Sequence, residues 1–168
     1  MPYFNIVAET SENTVVTEYE PVKKRSDSYQ SEAALEQEFI RLLCEQGYEY
    51  LPIHTEKDLI ANLRKKLEEL NNYQFSDTEW DDFFKNAVAN PNEHIVEKTR
   101  KMQEDNVQVL TRDDGSSKNI TLIDKKNIHN NRLQVINQYV IGTENGAKHD
   151  NRYDVTVLVN GLPLVHIE

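Results

Sequence analysis

From residue 32 to about residue 103, apolar side chains recur at spacings of three and four. Beyond residue 106 they gather in short β-branched runs. The first regime predicts helices. One spans Glu32 to Gln46, with Gly47 as its C-terminal stop. Leu59, Ile60, Leu63, Leu67 and Leu70 mark a second, from Glu56 to Leu70. Ser76-Asp77-Thr78-Glu79 has the form of a capping box and opens a third, running through Ala89. Asn90-Pro91-Asn92 ends it, and a short fourth runs from Glu93 to Met102. The second regime predicts strands at Val107–Leu110, Ile120–Asp124, Leu133–Ile141, Tyr153–Val159 and Pro163–Glu168, the last two joined around Asn160-Gly161. Asp113–Ser117, Asn127–Asn131 and the polar stretch Thr143–Asn151 read as turns and loops. Nearer the start, Asn13–Tyr19 reads as a short strand broken by Pro21, and Tyr48–Ile53 as an extended piece. This order predicts an α+β chain: helices first, then a largely antiparallel or mixed sheet. Residues 1–27 form an extension, residues 28–168 the main body, and 56–103 its helical segment.

Composition narrows the classes. The 168 residues suit one domain, or one with an appendage. The net charge is −10, from 19 basic and 29 acidic residues. That excludes a generic basic nucleic-acid coat but says little about one cleft on DNA. The surplus is local: residues 1–56 hold 11 acidic and 4 basic side chains. Lys23-Lys24-Arg25 reads as a solvated basic loop. Cys44, the single cysteine, can form no internal disulfide and has no zinc-ligand spacing around it. There is no secretory leader pattern and no run near the roughly 20 apolar residues a membrane span needs, so a soluble, cytoplasmic protein is expected. Leu164-Val165-His166-Ile167-Glu168 closes the sequence inside an apolar run, which reads as a fragment of a longer protein.

Two carboxylates flank the C-terminal hairpin. Asp154 begins one strand and Glu168 ends the next. Such a pair can share a hard divalent cation, which prefers oxygen ligands, activates water and stabilises phosphate charge. The same positions also suit a loop end and a solvated strand residue. Register separates the two readings. A plain two-residue turn pairs Val159 with Leu162 and sends the two carboxylates to opposite faces. A three-residue loop, or a bulge at Gly161, brings them to one face. The metal reading therefore requires the shifted register.

Helix positions add two more acids. At 100° per residue, Glu32 and Glu36 fall on or beside the stripe of Leu35, Phe39, Leu42 and Leu43. An acid on a buried face needs a partner or a purpose. Glu32 can also stabilise the helix start, and Glu36 can pair with a basic residue. Glu38 and Glu45 lie outside the stripe and read as solvated. His166 shares a strand face with Glu168, as a support for the metal site or as a packing residue. His54, His94, His129 and His149 show no ligand spacing, and no phosphate-loop, GxGxxG or GxSxG motif occurs.

Three segments carry a family resemblance: SEAALEQEFIRLLCEQGYEY (31–50), ITLIDKKNIHNNRLQVINQ (120–138) and NRYDVTVLVNGLPLVHIE (151–168). In this order they resemble the N-terminal region of the R subunit of type I restriction-modification enzymes, from about Ser28 to Glu168. The resemblance implies a PD-(D/E)xK restriction-endonuclease-like core, incomplete here, ahead of an ATP-driven motor. It implies that Asp154 and Glu168 are the two motif acids and hold Mg²⁺, with Glu32 or Glu36 as an added ligand. The motif lysine would fall two positions past Glu168. The intact protein would hydrolyse DNA phosphodiesters after ATP-driven translocation, together with methyltransferase and specificity subunits. The 168 residues alone are expected to be inactive. Two other readings stand beside this one. One is a non-catalytic docking domain that keeps the scaffold. The other is an acidic DNA mimic, which the nearly neutral last third disfavours.

Overall fold

The computed structural model describes residues 4–9, 15–19, 31–141 and 151–168. The predicted Lys23–Arg25 loop and most of the Thr143–Asn151 loop lie outside them. The chain divides into two units, Met1–Glu32 and Ala33–Glu168. In the first, strand β1 (Phe4–Glu9) pairs antiparallel with β2 (Val15–Tyr19), with an irregularity between Ile6 and Ala8. Sequence patterning missed β1, in which polar Asn5 interrupts a mainly apolar run.

The second unit takes in all but the first residue of α1 (Glu32–Glu45), which stops before Gly47 at φ +94°. After β3 (Glu49–Tyr50), Thr55 caps α2 (Glu56–Asn71) by accepting from the Asp58 N–H. The capping box at Ser76 forms as expected: its hydroxyl accepts from the Glu79 N–H, and Glu79 accepts from the Ser76 N–H. The helix it opens is not uniform. α3 (Asp77–Phe83) passes into a π-helical turn at Phe84–Val88. α4 (Ile95–Gln103) starts two residues later than expected.

A hairpin of β4 (Val107–Thr111) and β5 (Ser117–Thr121) follows. β5 begins three residues before the predicted Ile120 because ladder pairing recruits polar Ser117, Lys118 and Asn119. At its far end Asp124 leaves the strand, its carboxylate accepting from the Lys126 and Asn127 N–H groups. The main sheet has the order β3-β6-β7-β8, with β6 at Leu133–Ile141, β7 at Asn151–Val159 and β8 at Leu162–Ile167. β3 joins β6 in parallel and the other pairs are antiparallel, so the sheet is mixed and the chain is α+β.

Both faces of this sheet are covered. On one, Phe39, Ile40 and Leu43 of α1 pack with Val135 and Val155. On the other, Leu59 of α2 packs with Ile136 and Leu158. The packed stripe of α1 is rotated from the one expected. Leu35 and Leu42 remain 51% and 41% exposed, and the contact runs through Glu36, Phe39, Ile40 and Leu43. A third cluster joins α2, α3 and the β4–β5 hairpin around Leu67, Phe75, Trp80, Phe83 and Ile120. Its aromatic rings interlock, with Phe75 centred 5.4 Å from Trp80 and 5.6 Å from Phe83. Among the described residues, no helix is long and apolar enough to cross a membrane.

Candidate metal site at the C-terminal hairpin

The hairpin turn is tight. Asn160 at φ +52° and Gly161 at φ +83° are both left-handed, the requirement of a two-residue type I′ turn. Val159 accordingly pairs with Leu162. A Cβ at Gly161 would stand 2.6 Å from the Leu63 Cα, so the turn rests on the α2 backbone with only glycine able to fit. Asn160 is 1% exposed and anchors the turn: its amide donates to the Leu122 carbonyl and to Asn131 Oδ1, and its Oδ1 accepts from the Arg132 N–H.

The register then shifts. Leu158 pairs with Pro163, but Val157 pairs with Val165, leaving Leu164 as an extra residue in β8. Beyond this bulge Thr156 faces His166 and Val155 faces Ile167. Continued one step past its last pair, this register would set Asp154 opposite Glu168, which lies just beyond β8. The shifted register therefore coexists with a two-residue turn. The extra residue is Leu164, not Gly161 as the turn chemistry suggested. It follows Pro163, which has no N–H to give to the ladder and suits an interrupted edge.

Alternation puts Asp154, Thr156 and Leu158 on one face of β7. Asp154 is half-buried and Glu168 exposed. Beside them Thr156 Oγ1 lies 3.0 Å from His166 Nδ1, and burial holds the His166 imidazole below its usual pKa. Directly opposed residues stand about 5 Å apart at Cβ, close enough for two carboxylates to share one ion. Two hard oxygen donors suit a divalent cation that completes its shell with water and phosphate oxygens.

The helix acids are placed differently. Glu32 is the exposed first residue of α1. Glu36 accepts from Asn137 Nδ2 at 2.6 Å and from Gln138 Nε2 at 3.4 Å. Asn137 follows Val135 on the α1 side of β6, the face opposite Asp154. Among the described residues, no three His, Cys, Asp or Glu side chains are grouped to hold an ion. Sequence reading overlooked Tyr50, Asn137 and Gln138. Tyr50 donates its hydroxyl to Asn137 Oδ1 at 2.9 Å, and Gln138 adopts φ +53°. Nothing in a Gln inside a β-branched run signals a left-handed backbone.

Known proteins bear on this arrangement. The sequence profile described as Type I restriction enzyme R protein N terminus matches residues 29–168. The chain is 46% identical over 163 residues to the type I restriction enzyme EcoprrI endonuclease subunit of Escherichia coli, covering 96% of this chain and 51% of that protein. It is 35% identical over 145 residues to the SsaAORF53P endonuclease subunit of Staphylococcus saprophyticus, covering 83% of this chain and 15% of the relative. With the SauMSSORF170P endonuclease subunit of Staphylococcus aureus it shares 36% identity over 146 residues, covering 84% and 15%. The chain thus spans about half the length of the first relative and a smaller part of the other two.

Proposed function

Since the chain belongs to the family of type I restriction enzyme R protein N termini, we propose that its C-terminal hairpin supplies two carboxylates of a DNA-cleaving centre. The observation that supports this reading is the bulge at Leu164, whose register, continued one step past Val155 and Ile167, would face Asp154 with Glu168. A PD-(D/E)xK centre needs such a pair on one face. Asp154 and Glu168 would hold Mg²⁺, and the ion would supply Lewis acidity to a phosphodiester and lower the pKa of an attacking water. Half-burial of Asp154 keeps one carboxylate fixed, while the exposed Glu168 leaves an approach for the phosphate. With two protein carboxylates, the 168 residues alone are expected to hold the cation weakly and not to cleave. DNA is the substrate of the longer protein. ATP would serve its motor, and methyltransferase and specificity subunits would complete the assembly.

The test uses the full-length endonuclease subunit with its partner subunits, ATP and Mg²⁺. Asp154→Ala and Glu168→Ala are each expected to abolish cleavage while ATP hydrolysis on specific DNA persists. Cleavage at the unmodified rate in Asp154→Ala would refute the assignment.

A further inference from the structure

The polar group behind Asp154 has a role that the metal pair does not explain. Both oxygens of Glu36 are engaged by neighbouring amides of β6, Asn137 and Gln138. Asn137 is held in turn by the Tyr50 hydroxyl, so α1, β3 and β6 are tied at one point. Successive side chains of an extended strand point to opposite faces. Asn137 and Gln138 reach the same carboxylate because Gln138 is left-handed, at φ +53°. The other left-handed residues described are glycine or asparagine at turns and helix ends, where that conformation is easily adopted. A glutamine held there inside a strand is strained, and its surroundings must maintain it.

The place of the strain is informative. Asn137 pairs with Val155 and Tyr139 with Tyr153, in the same register on both sides. Gln138 lies between these pairs, across from Asp154. Thus β7 presents Asp154 toward β8 on one side and is backed by the strained residue of β6 on the other.

We infer that Tyr50, Glu36, Asn137 and Gln138 form a clamp that positions Asp154, with Glu36 acting through the β6 backbone and not as a metal ligand. As a statement about metal binding, this rests on the function proposed above. The clamp itself can be tested without metal.

The 168-residue protein is compared with Asn137→Ala, Gln138→Gly, Glu36→Gln and Asp154→Ala. Gln138→Gly accepts the left-handed backbone and is expected to fold even where Asn137→Ala does not. Without metal, Asn137→Ala and Gln138→Gly are expected to speed amide hydrogen exchange about tenfold around Asp154, leaving Ile136 and Leu158 protected. With Mn²⁺ as the probe, paramagnetic broadening of amide signals near Asp154 and Glu168 gives the affinity. Each clamp variant, Glu36→Gln included, is expected to weaken it roughly 10-fold. The Glu36→Gln, Asn137→Ala double variant should lose no more than either single one. Normal exchange around Asp154 in both β6 variants overturns the clamp whatever the metal does. Loss of Mn²⁺ binding in Glu36→Gln as complete as in Asp154→Ala, with the β6 variants binding normally, makes Glu36 a ligand and also overturns it. Faster exchange, with Mn²⁺ binding indifferent to Asp154→Ala, keeps the clamp and overturns the metal reading alone.

Discussion

At the residue scale, Glu79 stands out as a carboxylate that is 6% exposed. Burial pushes its pKa up. The Ser76 N–H, the Tyr73 hydroxyl and the Asp113 N–H, with Arg112 nearby, outweigh that and hold the group below the usual carboxylate range. These donors come from the end of the α2–α3 loop and the β4–β5 turn, so one side chain ties two elements. The folded-state pKa lies below the unfolded one. The stabilisation is therefore present at neutral pH and is lost as pH falls below about 4.5 toward the depressed value. Glu79→Gln should lose roughly 1–3 kcal/mol at pH 7, since buried donors lose a charged acceptor. Urea unfolding at pH 7 and pH 3 checks this: the gap between variant and parent should narrow in acid. A constant gap would mean that the charge contributes nothing.

At the scale of elements, β8 is governed by one extra residue. Removing Leu164 would let β7 and β8 pair in the turn's own register throughout while keeping every pair beyond the bulge, so the last carboxylate would stay on its face. The Leu164 deletion is expected to keep both its far-UV circular dichroism and its Mn²⁺ broadening near Asp154. Loss of that broadening would show that facing carboxylates are not enough and that the bulge itself is required. The same scale shows what sequence could and could not convey. Helix spans, the Ser76 capping box and the span of β6 follow from local signals: periodicity, a polar cap, a β-branched run. The need for a shifted register could be stated in advance, because side-chain alternation is a rule of strands. Its location could not, since a bulge at Leu164 reflects competition between Pro163 and the ladder. The buried stripe of α1 was misjudged for a related reason. Leu35 and Leu42 are the more apolar choices, but the sheet meets the helix along Phe39, Ile40 and Leu43. Glu36 is tolerated on that side because Asn137 and Gln138, a hundred residues away in the chain, meet it with amides.

At the scale of the whole molecule, the acid surplus and the proposed site occupy different regions. Most of the net charge lies in the first 56 residues, whereas Asp154 lies on β7 and Glu168 just past β8. The family resemblance and the helix-then-strand order were legible because each rests on long stretches of chain. The cluster behind Asp154 was not, because its members come from three elements joined only by folding. Asn160 presents the same situation as a matter of time. Its side-chain bonds reach the Arg132 N–H and the Leu122 carbonyl, 28 and 38 positions away. Before those strands assemble, nothing but local preference holds the turn. The hairpin should thus settle late, after most of the barrier has been crossed. Asn160→Ala is expected to speed unfolding and leave the refolding rate nearly unchanged in stopped-flow experiments, whereas slower refolding would place the turn in the nucleus. A nascent chain would then complete its hydrophobic layers before it brought two negative charges face to face.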